Sequence, residues 1–272
     1  MSWSDGVVGK DWAKGRTATT DPRIARSAAA HRGLRYTRHI STERDRRLRG
    51  GRRTLALQWS ETMAYIVGLM ATDGCLWSDG RHLSFDSNDR QLVETFLAGL
   101  GRPNRYRTVK TRNGHDHFQA VFGDVEFYRW LVPIGLTPRK SLSIGALDVP
   151  TRLLVPLARG LFDGDGHLSN FVHAPTRASA PKYLYERLWL YFNSGSRAHL
   201  EWLRAQLRDV AGLESYLEVQ KARPDKNEFY RLKLGNHASR RLLAMFYADP
   251  SAPRLERKWR VWDEYRRRHP DA

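Results

Sequence analysis

A short motif that occurs twice places the strongest constraint on this chain of 272 residues. The pattern Gly-Leu-x-x-x-Asp-Gly begins at Gly68 and again at Gly160, and its aspartates are Asp73 and Asp165. The interval between the two copies has the length of a small repeat unit, and a repeat constrains the whole fold. The chain is therefore expected to consist of two similar halves.

Helix geometry gives the motif a physical meaning. Gly68 and Gly160 lie on the small-residue face of each predicted helix, so that face is almost bare backbone. Two such faces allow two helices to pack more closely than bulky side chains would permit. The pattern thus predicts helices over residues 62–73 and 153–165, packed side by side.

The aspartates at the helix ends indicate a cation site. A carboxylate at a helix C-terminus is disfavoured by the helix dipole, and two neighbouring carboxylates repel each other. A bound cation relieves both effects, and Mg²⁺ is a cation that acidic ligands hold well. Asp73 and Asp165 are therefore the candidate cation ligands.

Two other motifs fit only the second copy. The segment from Asp163 to Gly166 resembles the start of a calcium loop, but Ala174 stands at the twelfth position, where a glutamate is required. The same segment resembles an Asp-x-Asp phosphatase nucleophile, but Ala71 replaces the first aspartate in the other copy. Neither motif explains the repeat.

The twin segments resemble the two motifs of a LAGLIDADG homing endonuclease in its monomeric form, with nine-residue motifs at 66–74 and 158–166. This resemblance implies an α+β fold in which pseudo-symmetric tandem αββαββα halves form a saddle-shaped DNA-binding sheet, preceded here by a basic N-terminal extension. The chain departs from the family pattern at Ala71, where an acid is common, and at Arg159, where a small residue is usual.

The resemblance also implies a chemistry: a nuclease that uses Mg²⁺, with Mn²⁺ as a substitute, to hydrolyse double-stranded DNA across the minor groove, as in intron homing. The implied site residues are Asp73, Asp165, Thr72 and Gly164 for the metal, Lys140 and Lys258 as basic catalytic residues, and Asp86 and Asn193 as polar neighbours. Arg139 is an alternative to Lys140 as the basic catalytic residue. Asp86 is one acid more than the family usually has at this site.

Composition agrees with a nucleic-acid partner. The 46 Lys and Arg residues outnumber the 29 Asp and Glu residues, which gives a net charge of +17, and such a field favours a polyanion. A single cysteine excludes a disulfide framework and a cysteine-based zinc site. No apolar run approaches the roughly 18 residues that a membrane helix needs. The chain is expected to be a soluble, intracellular monomer without a membrane partner.

Three regions are predicted: a basic arm at 1–55, a first repeat at 56–150 and a second repeat at 151–272. The arm has 14 Lys and Arg residues against 5 Asp and Glu residues. Asp21 followed by Pro22 predicts a helix start there. The arm is interpreted either as a small DNA-binding module or as a phosphate clamp.

Alternating polar and apolar residues predict two hairpins in each repeat, and turn dipeptides such as Asn113-Gly114 separate their strands. The predicted strand pairs are 75–78 with 82–87, 105–110 with 116–122, 167–173 with 185–193, and 216–222 with 229–234. Helices are predicted at 92–100, 125–131, 200–210, 239–247 and after Leu255, and residues 137–141 are predicted to form a basic loop.

The polar face of these strands suits reading of the DNA major groove, where Arg and Gln side chains form paired hydrogen bonds with base edges. The candidate DNA-binding residues are Arg105, Arg107, His117, Gln119, Gln220, Arg231 and Lys233.

The leading hypothesis is a sequence-specific, metal-dependent DNA endonuclease. The alternative is an RNA splicing maturase, with host intron RNA as a partner, or a non-cleaving DNA-binding regulator on the same scaffold. Retention of both Asp73 and Asp165 favours cleavage. A generic basic RNA-binding protein would explain the charge but not the twin motifs.

Overall fold

A computed structural model describes the chain at residue 20 and over residues 56–102, 106–111, 113–173, 185–220 and 228–270. Residues from 56 onward belong to one compact unit. The predicted helix that starts at Asp21, the rest of the basic arm apart from residue 20, and Arg105 lie outside the described residues.

Each half contains helices and strands in the same order, which the repeat predicted. The first half consists of α1 (Glu61–Thr72), β1 (Gly74–Leu76), β2 (His82–Ser87), α2 (Arg90–Gly99), β3 (Arg107–Lys110), β4 (Asp116–Gly123) and α3 (Val125–Ile134). The second half consists of α4 (Leu154–Asp165), β5 (His167–His173), β6 (Tyr185–Ser194), α5 (Arg197–Ala211), β7 (Ser215–Gln220), β8 (Phe229–Leu234), α6 (Asn236–Phe246) and α7 (Glu256–Arg268). Short 3₁₀ turns at Lys140–Leu142 and Thr151–Leu153 lie between the halves.

The strands form two antiparallel four-stranded sheets with equivalent topology. The first sheet has the order β1-β2-β4-β3 and the second has the order β5-β6-β8-β7. Asp86 of β2 lies opposite Gln119 of β4, and Asn193 of β6 lies opposite Arg231 of β8. The structure therefore confirms the predicted α+β class with two αββαββα halves.

The motif helices α1 and α4 pack along their glycines. A Cβ atom added to Gly68 would lie 2.3 Å from the Leu157 carbonyl oxygen and 2.9 Å from the Gly160 Cα. One added to Gly160 would lie 2.2 Å from the Tyr65 carbonyl oxygen. These distances are too short for a methyl group, so only glycine fits. The predicted close helix pair is confirmed.

One face of each sheet packs on helices, and the other faces away from them. Leu83 and Phe85 of β2 are fully buried, as is Ala120 of β4. Phe118 and Phe122 pack against the same core. The alternation predicted for β4, with apolar residues inward and His117 and Gln119 outward, is thus confirmed. The outward faces carry the candidate DNA-binding residues that the structure describes.

Contacts across the two halves fix their arrangement. The Gln91 side chain on α2 donates to the Arg254 carbonyl oxygen at 2.9 Å and accepts from the Glu256 amide at 2.9 Å. From the second half, the Ser196 hydroxyl donates to the Ile144 carbonyl oxygen at 2.5 Å. Each half therefore contacts the segment that follows the last β-hairpin of the other.

Some boundaries differ from prediction. The helix predicted at 125–131 continues to Ile134, and the one predicted at 200–210 begins at Arg197. The segment predicted as a basic loop at 137–141 enters a 3₁₀ turn at Lys140, whose side chain is buried. No helix in the described part of the chain is long and apolar enough to cross a membrane.

Candidate active site

The two motif aspartates lie at the ends of the paired helices. Asp73 follows α1 and donates its amide to the Leu69 carbonyl oxygen at 3.1 Å, and Asp165 is the last residue of α4. The pKa of Asp73 is raised to about 7. Burial is the largest cause and the charge of Asp165 is the second, whereas the charges of Lys258 and Lys140 lower the pKa. Partial desolvation also raises the pKa of Asp165, although the residue is exposed at the surface. The charge of Asp165 thus contributes to the raised pKa of Asp73.

Two buried lysines lie beneath these aspartates. Lys140 and Lys258 are each only 4% exposed. The Lys140 ammonium donates to the carbonyl oxygens of Gly74 and, at 3.4 Å, of Thr72. Both acceptors belong to the turn around Asp73. The ammonium is thus directed at the C-terminal end of α1.

Lys258 has the equivalent position in the second half. Its ammonium donates to the carbonyl oxygens of Phe162, of Asp163 at 3.1 Å and of Gly166 at 2.6 Å. Burial lowers the pKa of Lys258 to about 8, although the charge of Asp163 opposes that shift. Burial likewise lowers the pKa of Lys140. Each ammonium offsets the negative end of a motif helix dipole.

A third pair of equivalent residues lies beside the aspartates. The Asp86 amide donates to the Asp73 carbonyl oxygen at 3.3 Å, and the Asn193 side-chain amide donates to the Asp165 carbonyl oxygen at 2.6 Å. Oδ1 of Asp86 and Oδ1 of Asn193 are both buried without a hydrogen-bond partner. Burial raises the pKa of Asp86, and a hydrogen bond with Gln119 opposes the shift. Two unpaired oxygens at matching positions indicate a ligand or ordered water there.

The residues present fit a magnesium ion that is completed by substrate. Within the described residues, no three His, Cys, Asp or Glu side chains come together as a metal-binding group. Mg²⁺ is commonly held by one or two carboxylates together with water and phosphate oxygens, and Asp73 and Asp165 supply that minimum. The residues before them, Thr72 and Gly164, touch across the helix pair, because a Cβ on Gly164 would lie 2.0 Å from the Thr72 hydroxyl oxygen.

The register places the described candidate DNA-binding residues on the outward faces. In the first sheet, Arg107 lies opposite Gln119, and His117 lies two residues before Gln119 on the same strand face. In the second sheet, Arg231 and Lys233 share the outward face of β8. Gln220 lies opposite Phe229 at the end of β7. Arg105 lies outside the described residues.

No protein-family model matches the chain, and no curated protein matches it. Among solved structures, the chain is similar to full-length DUF199/WhiA from Thermatoga maritima at 17% identity and a TM-score of 0.48, over 75% of this chain and 58% of that one. It is similar to the N-terminal LAGLIDADG domain of DUF199/WhiA at 17% identity and a TM-score of 0.46, over 74% of this chain and 86% of that one. It is also similar to I-DmoI in complex with DNA and Ca at 13% identity and a TM-score of 0.45, over 70% of this chain and 90% of that one.

A layer of aromatic residues on the outward face of the second sheet was missed by sequence analysis. We define this aromatic layer as His167, Phe171, Trp189 and Tyr191. Phe171 contacts Trp189 edge-on with ring centroids 4.9 Å apart, and the centroids of His167 and Tyr191 are 6.0 Å apart. Strand β6 is apolar on both faces, a pattern that indicates a strand buried on both sides. Arg187, which lies among these apolar residues of β6, was the sequence signal that one face of the strand is exposed to solvent.

A buried polar cluster beside the motif helices explains the departure from the family pattern at Arg159. The Arg159 guanidinium donates to the Phe246 carbonyl oxygen at 2.5 Å and lies 5.5 Å from the Tyr65 ring centroid. Asp163 is fully buried, and its carboxylate accepts from the Tyr65 hydroxyl and the Leu255 amide, both at 2.8 Å. Burial raises the pKa of Asp163 to about 6. The cluster ties α4 to its neighbours.

Proposed function

We propose that this chain is a divalent-metal-dependent, sequence-specific DNA endonuclease of the LAGLIDADG homing type. The observation that carries the proposal is the arrangement of Asp73 and Asp165 at adjoining ends of two glycine-packed helices. Their mutual charge contributes to the raised pKa of Asp73, to about 7. Carboxylates held together against their repulsion destabilise a protein unless they bind a cation. A purely structural role would not require both.

Different residues would have different roles in hydrolysis. Asp73 and Asp165, with Thr72 and Gly164 beside them, would hold Mg²⁺ or Mn²⁺. The bound ion supplies an activated water and charge stabilisation on the reacting oxygens. Asp86 and Asn193 present oxygen acceptors that can orient water next to the aspartates. Double-stranded DNA lies along the outward faces of the two sheets, so that the phosphates at the centre of the site approach the aspartates.

The two buried lysines contribute positive charge on the protein side of the aspartates. Lys140 and Lys258 donate to the carbonyl oxygens around each aspartate, so they fix the turn that presents the carboxylate. Their charge also opposes the rise in the pKa of Asp73. We therefore assign them as positioning residues for the metal ligands. Arg139 is an exposed basic neighbour available to phosphate, and Arg257 is exposed but pairs with Asp89.

A second candidate function is a non-cleaving nucleic-acid binder on the same scaffold, either a DNA-binding regulator or an RNA splicing maturase. The observation that favours it is the burial of both lysine ammonium groups, which leaves neither one at the surface where phosphate binds. We also propose that the protein is a monomer and that the arm at 1–55 contributes to nucleic-acid binding. Binding of intron RNA is proposed for the maturase alternative.

Cleavage and binding measured on the same DNA separate the two functions. Full-length protein is incubated with a plasmid library in Mg²⁺ or Mn²⁺, and binding is measured by gel shift in Ca²⁺. We expect Asp73→Asn or Asp165→Asn to reduce cleavage by orders of magnitude while binding persists, because metal ligation is lost and repulsion of phosphate decreases. Asp209→Asn, an exposed change on α5, is the matched control. Specific binding by wild type without cleavage in either metal would establish the binder instead.

A further inference from the structure

Beside each motif aspartate, one row of three residues crosses the strands of the sheet. The two rows occupy equivalent positions, because Asp86 contacts Asp73 and Asn193 contacts Asp165. The first row is Asp86, Gln119 and Arg107, and the second row is Asn193, Arg231 and Glu218. Each row contains one carboxylate, one side-chain amide and one guanidinium, but their order across the strands differs. The cation is on the edge strand in the first half and on the central strand, nearer the metal site, in the second.

In the first row, the arginine is already hydrogen-bonded to its neighbour on the adjacent strand. Arg107 Nε donates to the Gln119 carbonyl oxygen at 2.6 Å, and its Nη2 contacts the same oxygen. Gln119 in turn hydrogen-bonds with Asp86. His117, next along the same face, contacts Asn88 at 2.9 Å. The acceptor of Gln119 and one edge of the Arg107 fork are therefore already used before any DNA binds.

The second row leaves its cation available. Within the described residues, the Arg231 guanidinium has no hydrogen-bond acceptor and no ion-pair partner, and its Nε is buried and unsatisfied. The guanidinium lies 5.0 Å from the Tyr191 ring centroid, and Tyr191 is only 7% exposed. Lys233 Nζ lies 3.6 Å from the Trp189 ring centroid and 3.7 Å from Glu218. The aromatic layer thus supports both cations.

The aromatic layer is better suited to orienting cations than to stacking bases. A base can stack only on an exposed ring face, and the cations of Arg231 and Lys233 already lie against the rings of Tyr191 and Trp189. A guanidinium held against a ring retains its planar fork and loses less rotational freedom when it binds. In the major groove, that fork matches O6 and N7 of guanine.

We propose that Arg231, supported by Tyr191, determines the specificity of the second half-site by recognising guanine next to the centre of the target, whereas the equivalent position of the first half-site is read less stringently. Lys233 lies two residues further along β8, a spacing of about 6.8 Å that matches about two base-pair steps. It therefore reaches a second guanine further outward. This inference rests on the DNA-binding part of the proposed function.

Selection of bound sites from a random duplex library in Ca²⁺, with full-length protein, measures base preference at each position. We expect wild type to select guanine at the position that Arg231 reads, and Arg231→Ala to weaken that preference about tenfold to a hundredfold. Arg231→Lys should retain overall affinity but lose most of the preference, because a point charge lacks the fork. Arg107→Ala, the equivalent change in the first row, should weaken base preference in the first half-site much less than Arg231→Ala weakens it in the second. Arg208→Ala, an exposed change on α5, is the control that should leave all preferences unchanged.

The role of the ring is tested in the same selection. Tyr191→Leu should weaken the guanine preference at the same position, whereas Tyr191→Phe, which keeps the ring, should preserve it. Thermal unfolding of each variant shows whether it is folded. If Arg231→Ala does not fold, the comparison of Tyr191→Leu with Tyr191→Phe still decides the question.

The outcomes separate this inference from the proposed function. Wild type that enriches no duplex sequence refutes sequence-specific DNA binding itself. Wild type that enriches a site whose preferences do not change in Arg231→Ala refutes only the inference. Equal loss in Arg107→Ala refutes the asymmetry. Tighter binding of single-stranded DNA or RNA than of duplex, measured by competition, shows that the aromatic layer stacks bases and also overturns the inference.

Discussion

Gly68 and Gly160 contact each other through backbone atoms alone, so that a Cβ on Gly160 would lie 3.0 Å from the Gly68 Cα. This contact brings the ends of α1 and α4 together, and Asp73 and Asp165 stand at those ends. The glycines therefore set the separation of the two carboxylates. A substitution at the glycines affects both folding and the candidate metal site.

We expect Gly160→Ala to destabilise the protein by about 1–3 kcal/mol or more, because the added methyl group meets backbone atoms that cannot move independently. Gly160→Leu should be worse. The free energy of unfolding is measured by urea denaturation. Gly145→Ala is the matched control, since a Cβ at Gly145 meets nothing within 4 Å. Equal stability of Gly160→Ala and wild type would contradict the close helix contact.

The raised pKa of Asp73 predicts a pH-dependent gain in stability on its removal. Its pKa is about 7 in the folded protein, against an ordinary value of 3.8. The folded state therefore holds a proton that the unfolded state has released, and the resulting penalty grows as pH rises from about 4 and is complete above about 7. Asp73→Asn removes this penalty.

The Tm of metal-free Asp73→Asn should thus exceed that of wild type at pH 8, and the difference should be largely lost at pH 4. Calorimetry at pH 4, 6 and 8 gives the three differences. Added Mg²⁺ should stabilise wild type more than the variant at pH 8, because only wild type keeps both carboxylates. A Tm difference that does not vary with pH would show that Asp73 titrates normally.

The fold was predictable because its signals are local. Alternation along β4 and the turn at Asn113-Gly114 depend on neighbouring residues, and Gly114 indeed has a positive φ of 77°. The glycines of the motif predicted the helix pair for a similar reason: a bare helix face has few uses other than close packing. The order of side chains across each row was not predictable, because it depends on which residues of β6, β7 and β8 lie opposite one another.

The direction of a long side chain was equally inaccessible to sequence analysis. The family resemblance implies a basic residue near the aspartates after α3 and after α6, and Lys140 and Lys258 occupy those positions in the chain. Whether the ammonium turns outward to phosphate or inward to carbonyl oxygens depends on tertiary packing, and both turn inward. Arg159 shows the same limit, because only the structure reveals the carbonyl group and the ring that contact it.

The basic arm at 1–55 should add phosphate contacts. Deleting it is expected to weaken DNA affinity and to flatten the dependence of log K on log salt concentration. A protein that makes fewer phosphate contacts releases fewer counterions when it binds. Affinities of full-length and truncated protein are measured by fluorescence anisotropy between about 50 and 200 mM salt. Identical slopes for the two proteins would mean that the arm does not touch DNA.

Lys258 provides the sharpest test of how the lysines act. Its ammonium donates to three carbonyl oxygens around the end of α4. Lys258→Met keeps most of the length of the side chain but removes the donor to the Asp163 and Gly166 carbonyl oxygens, whereas the Phe162 carbonyl oxygen still accepts from the Gly166 amide. The loss should cost on the order of 2 kcal/mol or more in the absence of DNA and metal. Mn²⁺ affinity, measured by calorimetry, should also fall, because the turn that presents Asp165 loses its support.

A positioning role and a phosphate contact predict different results for this variant. If Lys258 positions Asp165, Lys258→Met lowers the free energy of unfolding and the Mn²⁺ affinity of the protein alone, and DNA affinity in Ca²⁺ falls only in proportion to the loss of bound cation. If Lys258 contacts the scissile phosphate, the free protein keeps its stability and metal affinity while cleavage is lost. Arg257→Met, which removes the exposed neighbouring charge that pairs with Asp89, controls for the general loss of a cation at this end of α7.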